Sequence, residues 1–127
     1  MALLDLVGAQ LITDVVVDAS TTWILARSYM PETPDKAVFL SEIGGRPSDQ
    51  TPVEAYDFPS FQVIVRGGPE GYVEARSKID EVIASLNNAT ISGLIYVFMR
   101  TAPIALGYDG NNRPKISVNF DTMKVRP

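Results

Sequence analysis

From Lys115 to Asp121 apolar and polar side chains alternate without a break, Ile116, Val118 and Phe120 against Lys115, Ser117, Asn119 and Asp121. Successive side chains of a strand point to opposite faces, so this segment offers one face to a core and the other to polar surroundings. Sheets that are dry on one side only are built from antiparallel neighbours. Just upstream, Asp109-Gly110-Asn111-Asn112-Arg113 has the composition of a turn, and Ile104 to Tyr108 reads as the partner strand of a hairpin. The chain is thereby committed to a sheet that needs cover on one face, and other segments must supply it.

Two segments have the period to do so. Leu3, Leu4, Val7, Leu11 and Ile12 recur near helical spacing between Ala2 and about Thr13, with Asp5 and Gln10 toward the other side. Tyr72, Ala75, Ile79, Val82, Ile83 and Leu86 form a second apolar stripe. That second helix is expected to start at Pro69, which has no amide hydrogen to leave unpaired, with Glu70 complementing the helix dipole. Asn87-Asn88 ends it, and Glu74 and Lys78 stand four apart as an ion pair on its exposed side.

Further strands are expected at Thr22 to Ala26, Ala37 to Ile43, Phe61 to Arg66 and Ile91 to Arg100. In the third of these Phe61, Val63 and Val65 share one face, and Gln62, Ile64 and Arg66 the other. Two prolines make Tyr29 to Asp35 an irregular connection. Gly44-Gly45-Arg46-Pro47 closes the second strand, and Arg46 to Pro59, polar and with three prolines, reads as an exposed loop long enough to be a contact element. The fold class is therefore α+β, an antiparallel or mixed sheet packed on one side by an N-terminal helix and a central helix. A chain of 127 residues, 46% of them hydrophobic, forms one such domain over its whole length.

Composition removes much of enzymology. Without cysteine or histidine the chain has no thiolate nucleophile, no His-based acid–base pair or triad, and few routes to a zinc site. Asp80 and Glu81 are adjacent on a helix, about 100° apart, and cannot face one substrate. Gly67-Gly68-Pro69-Glu70-Gly71 lacks the Lys-Ser/Thr of a phosphate-binding loop, and Pro69 removes one amide that would cradle phosphate. Neither a catalytic residue nor a cofactor or metal ligand set emerges.

Asn88-Ala89-Thr90 matches a glycosylation sequon, but the N-terminus has no basic region of a secretory signal, and no apolar run reaches the length of a membrane span. The reading is a soluble, unprocessed chain, and the missing cysteines fit a reducing compartment. A net charge of −4 argues against wrapping nucleic acid. Residues 1–64 carry 3 basic and 9 acidic side chains, net −6, whereas residues 65–127 carry 8 and 6, net +2. Unlike halves suit head-to-tail stacking or a ring, although uneven solvated charge has the same signature. The polar row on the last strand suits either solvent or a neighbouring subunit, and Trp23 either a core or an interface anchor.

Four pieces, in order along nearly the full chain, carry a resemblance: Tyr29-Met30-Pro31-Glu32-Thr33-Pro34-Asp35; Glu42-Ile43-Gly44-Gly45; Phe61-Gln62-Val63-Ile64-Val65-Arg66-Gly67 before a helix; and Ala102 to Arg113 before Ile116 to Phe120. Together they resemble the minor-capsid and tail-terminator family of long-tailed bacteriophages. The resemblance implies a non-enzymatic virion protein assembled in the host cytoplasm. Six copies would form a ring on the last ring of the tail tube, stop tube polymerisation and present the tail to the head connector. Its implied partners are itself, the tail tube protein and the head–tail connector, with genomic DNA only passing through the lumen, and no membrane.

Under that resemblance the candidate interface residues are Tyr29, Pro31, Arg46, Asp49, Asp57, Arg66, Asp109, Arg113, Lys115, Asn119 and Asp121. The Met30 to Lys36 loop, the Arg46 to Pro59 loop and the Asp109 to Arg113 turn are the candidate axial contacts. Two other readings stand beside it: a head-side connector or adaptor subunit of the same neck region, and a small ligand-binding α+β domain, which would need an enclosed polar pocket.

Overall fold

The computed structural model describes residues 3–14, 16–17, 23–32, 34–46 and 56–125. In chain order these form α1 (Leu3–Thr13), β1 (Ile24–Arg27), β2 (Ala37–Arg46), β3 (Tyr56–Arg66), α2 (Tyr72–Leu86), β4 (Tyr96–Met99), β5 (Ile104–Tyr108) and β6 (Pro114–Val125). The six strands make one mixed sheet in the order β1-β2-β3-β6-β4, and β5 also pairs with β6. Only β1 and β2 run parallel; every other pairing is antiparallel. Both helices pack against the sheet, so the α+β class read from periodicity is the class observed.

The strict alternation explains which face is covered. Register places Val38, Val65 and Ile116 side by side, then Leu40, Val63 and Val118, then Phe61 and Phe120, and all eight are buried. Phe61 and Phe120 stack with ring centroids 5.1 Å apart. Onto this face α1 lays Leu3, Leu4, Val7 and Leu11, and α2 lays Ala75, Ile79, Val82 and Leu86. Burying side chains of this kind stabilises by about 1.5–3 kcal/mol each before chain entropy is subtracted. On the opposite face the intervening rungs carry Phe39, Ile64 and Ser117, then Ser41, Gln62 and Asn119.

Several local expectations need correction. α2 starts at Tyr72, because Gly68 to Gly71 close a turn in which the Gly71 amide donates to the Gly68 carbonyl at 2.8 Å and Glu70 takes a positive φ of 58°. The Glu70 amide donates outward to Asn112 at 2.8 Å, which anchors this turn against the β5–β6 turn instead of opening the helix. Lys78 is not on the exposed side of α2: it is 6% exposed. Its ammonium donates to the Val16 carbonyl at 3.0 Å, pairs with Glu81 at 3.1 Å and lies 5.2 Å from the centre of the Trp23 ring. Those partners are what make a buried cation tolerable. Glu74 pairs with Lys36 at 2.5 Å, and the half-buried Trp23 ring has the Lys36 and Lys78 ammonium groups 5.8 and 5.2 Å from its centre.

Both ends of the expected 46–59 loop belong to strands. Residue 46 closes β2 and residues 56–59 open β3, while residues 47–55 lie outside the described residues. Likewise β4 covers only Tyr96–Met99 of the expected 91–100 strand, since Ile91 to Leu94 form a turn closed by a 3.0 Å backbone bond. Pro59 is accommodated inside β3 because the ladders to both neighbours are interrupted there, between Ile43 and Arg46 on β2 and opposite Asp121 to Lys124 on β6. The Thr122 hydroxyl donates to the Pro59 carbonyl at 2.6 Å and holds the irregular rung.

That bulge also sets a requirement for glycine. A Cβ at Gly45 would collide with the Phe58 carbonyl oxygen, a backbone atom, whereas a Cβ at Gly44 meets nothing within 4 Å. Gly45→Ala is expected to cost about 2–3 kcal/mol in denaturant unfolding, and Gly44→Ala less than about 0.5 kcal/mol. Equal losses at both positions would contradict the bulge geometry.

Candidate interaction surface

The β5–β6 turn folds on itself first. One Asp109 carboxylate oxygen accepts from the amides of Asn111 at 2.9 Å and Arg113 at 3.0 Å, and the Asn112 amide donates to the Asp109 carbonyl at 3.0 Å. Aspartate bonding its own turn in this way is the reason the segment was legible as a turn. The second oxygen accepts from Arg113 Nε at 2.8 Å.

Arg113 then reaches the segment before β2. Its Nη1 donates to the Glu32 carbonyl at 2.6 Å and to Asp35 Oδ1 at 3.4 Å, and its Nη2 donates to Glu32 Oε1 at 2.8 Å. Asn111 Nδ2 adds a bond to the same Glu32 oxygen at 2.9 Å. Arg66, at the end of β3, donates through Nε to the Asp35 carbonyl at 2.8 Å and through Nη2 to the Pro34 carbonyl at 2.8 Å. Two guanidinium groups thus tie the loop around Pro31 to Lys36 and the Asp109 to Arg113 turn into one surface. The two donors are 3% exposed, while the side chains of Glu32 and Asp35 are 74% and 51% exposed.

Charge in this cluster is arranged from inside. Burial lowers the Arg66 pKa, as does the Arg113 charge, against the pull of the carboxylates. Burial acts the same way on Arg113, but Asp109 and Glu32 outweigh it and raise the value. Burial would raise the Asp109 carboxyl; the Arg113 and Asn111 amides and the Arg113 guanidinium together hold it below the ordinary range.

A second polar cluster lies toward the other end of the sheet, where register sets Ser60 beside Asp121. The Ser60 hydroxyl donates to Asp121 Oδ1 at 2.7 Å, Arg100 Nε donates to the same oxygen at 2.9 Å, and Arg100 Nη2 donates to Ser60 Oγ at 2.7 Å. The Arg100 hydrogen bond, then that of Ser60, lowers the Asp121 pKa despite burial. Tyr96 and Phe98 stack nearby at 4.9 Å.

The residues singled out from sequence separate accordingly. Tyr29, 75% exposed, and Pro31, half-buried, belong to the loop tied down by Arg113. Asp109 shapes the turn, and Arg66 and Arg113 are buried struts beneath both. Lys115, Asn119 and Asp121 lie half-buried on the sheet face away from the helices, and Asn119 Oδ1 is buried with no hydrogen-bond partner among the described residues. Asp57 is half-buried in β3, Arg46 ends β2, and Asp49 lies outside the described residues.

Sequence reasoning did not single out Glu32, Asp35 and Arg100, whose partners are distant along the chain. It also passed over Ile104, Leu106 and Tyr108, which are 46%, 48% and 58% exposed on a strand with every residue exposed. The available signal for that strand was its apolar character. Among the described residues no group of three or more potential metal ligands converges, and no helix is long and apolar enough to cross a membrane.

Arg113→Ala removes the tie between the loop and the turn. We expect a loss of about 2–3 kcal/mol, less than a fully desolvated pair would cost because two of the carboxylates are solvated. Asp109 has a depressed folded-state pKa, so its contribution is complete above the ordinary value of 3.8 and disappears as pH falls through the depressed one. Urea titrations from pH 6 down to about 2 should show that acid-dependent step in the parent chain and a smaller one in the variant; superimposable profiles would contradict the assignment.

A family model described as bacteriophage tail terminator protein matches residues 7–126. A chain from the structure of a native gene transfer agent virion superposes with a TM-score of 0.75 at 18% identity, covering 98% of this chain and 96% of that one. A second solved chain matches with a TM-score of 0.59 at 19% identity, covering 97% and 95%. No curated protein sequence matches. With the family model running from α1 to the end of β6, the chain belongs to the bacteriophage tail terminator protein family.

Proposed function

We propose that copies of this chain close into a six-membered ring at the head-proximal end of the phage tail tube, where the ring stops tube polymerisation and supplies the surface for joining the tail to the head. The observation that carries this reading is the family match across residues 7–126, which takes in every strand of the sheet. The full-length likeness to a chain of a gene transfer agent virion supports the same setting, a component of an assembled particle. The role is structural, in the virion, after assembly in the host cytoplasm. The partners are further copies of itself, the tail tube protein and the head–tail connector, with genomic DNA passing through the lumen without sequence-specific contact.

The mechanism is one of shape. A tube that grows by adding identical rings presents the same docking face after every addition; a ring whose second face differs accepts the tube and offers nothing for the next ring. The loop around Tyr29 and Pro31 and the Asp109 to Arg113 turn make one axial face in this reading, held at fixed height by Arg66 and Arg113. Side chains that would otherwise lose rotamer freedom on docking are already ordered there, which lowers the entropic cost of association. On the sheet face away from the helices the half-buried Lys115 adds a further charged group, while Asp121 is already held by Ser60 and Arg100.

Purified chain added to polymerising tail tube protein should arrest elongation at a substoichiometric ratio to tube subunits, whereas Arg113→Ala should arrest it less effectively at equal concentration. Mean tube length by electron microscopy is the readout. Tubes that elongate unchanged in a molar excess of the parent chain would overturn the terminator role.

A further inference from the structure

We infer that neighbouring copies join edge to edge through β5, whose outer side pairs antiparallel with β1 of the next copy, so that the sheet continues around the assembly. This rests on the ring reading and adds the surface that makes the ring.

The first observation is β5 itself. All five of its residues are exposed although it is a strand of the sheet, and Ile104, Leu106 and Tyr108 present large apolar side chains from it. It pairs with β6 on one side and with no other strand among the described residues. An exposed apolar edge strand is a template for pairing with another chain and is normally blunted by charge, proline or cover. None of its five residues is charged or proline.

Register identifies the recipient. Following partners across the sheet, Leu25 is level with Val38, Val65, Ile116 and finally Ala105, and Ala26 is level with Phe39, Ile64, Ser117 and finally Ile104. The two outer strands β1 and β5, of 4 and 5 residues, therefore share three rungs, those of Lys115, Ile116 and Ser117, at opposite edges of the sheet. β4 does not match in this way, because it pairs with Phe120 to Met123, rungs that β1 never reaches.

Direction follows from topology. β2 runs with β1, β3 against β2, β6 against β3 and β5 against β6, so β5 runs opposite to β1. In a ring every copy has the same orientation about the axis, and β5 of one copy beside β1 of the next is then an antiparallel pair. Charge does not oppose the union: β5 carries no charged residue, and β1 carries only Arg27, whose guanidinium pairs with Asp5 at 3.6 Å. Tyr29, 75% exposed just beyond β1, places an aromatic side chain beside the arriving apolar strand. The contact is heterologous, joining two different surfaces, which is the geometry that closes rings.

The chain has no cysteine, so introduced thiols can report the contact without interference. Within one copy β1 and β5 are four strand spacings apart, roughly 19 Å, far beyond the roughly 7 Å that a disulfide spans, so any bond between them joins two copies. Ala105→Cys combined with Leu25→Cys, or with Arg27→Cys to allow a two-residue offset, should give under mild oxidation a ladder of covalent oligomers that ends at the ring. The single variants should give none beyond dimers. Leu106→Glu, at a position half exposed in the single copy, should leave the circular dichroism spectrum unchanged and weaken self-association by about tenfold or more.

Rings of full size that yield no ladder with either pair, and that form normally with Leu106→Glu, would overturn the β5–β1 contact while leaving the terminator reading intact. A parent chain that stays monomeric by native mass spectrometry, alone and in the presence of tail tubes, would remove the ring reading and this contact with it.

Discussion

The pairing of β3 with β6 is the constraint on which the remaining structure depends. These are the two longest strands, joined over nearly their full length, and the rung that sets Phe61 against Phe120 puts two stacked rings under both helices. Because side chains alternate, committing Phe61, Val63, Val65, Ile116, Val118 and Phe120 to the helix side sends Gln62, Ser117 and Asn119 to the other. A shift of one residue would invert both faces together. The polar face away from the helices is therefore a consequence of the core and not an independent feature.

A second consequence is that β6 has two partners on its outer side, β5 along its first half and β4 along its second. The sheet thus ends in a stepped edge, and the turn that starts β6 stands beside the segment that starts β2. Arg113 and Arg66 use that proximity, each donating to groups about 30 to 80 positions away in sequence. Buried guanidinium groups are expensive unless their donors are occupied, and here they are occupied by the loop and turn they hold. A protein that works by presenting a surface benefits from having that surface fixed before it meets a partner, because ordering it afterwards would weaken association.

Elements with one strong local signal were legible in the sequence. The alternation of residues 115–121, the Asp109 to Arg113 turn and the two apolar helical stripes led to the fold class. What was misread depends on partners distant in the chain. Lys78 has the spacing of a surface ion pair with Glu74, yet its ammonium meets Val16 and Trp23, which no local pattern announces. Pro59 reads as a strand breaker until Gly45 and Thr122 supply a bulge that accepts it. Tyr29, Pro31 and Asp109, candidates from the sequence, share one surface; Arg66 and Arg113, candidates with them, are buried and hold that surface from beneath. The exposed edge of β5 was missed for the opposite reason: a strand with apolar alternation looks the same in sequence whether or not something covers it.

The proposed function requires copies of this chain to close into a collar whose two faces differ. Class averages of tail tube ends, taken by electron microscopy after incubation with the full chain, test it most directly. One extra six-fold annulus on a single end of each tube, with a bare opposite end, is the expected result; annuli on both ends, density scattered along the tube wall, or ends without added density would refute the collar.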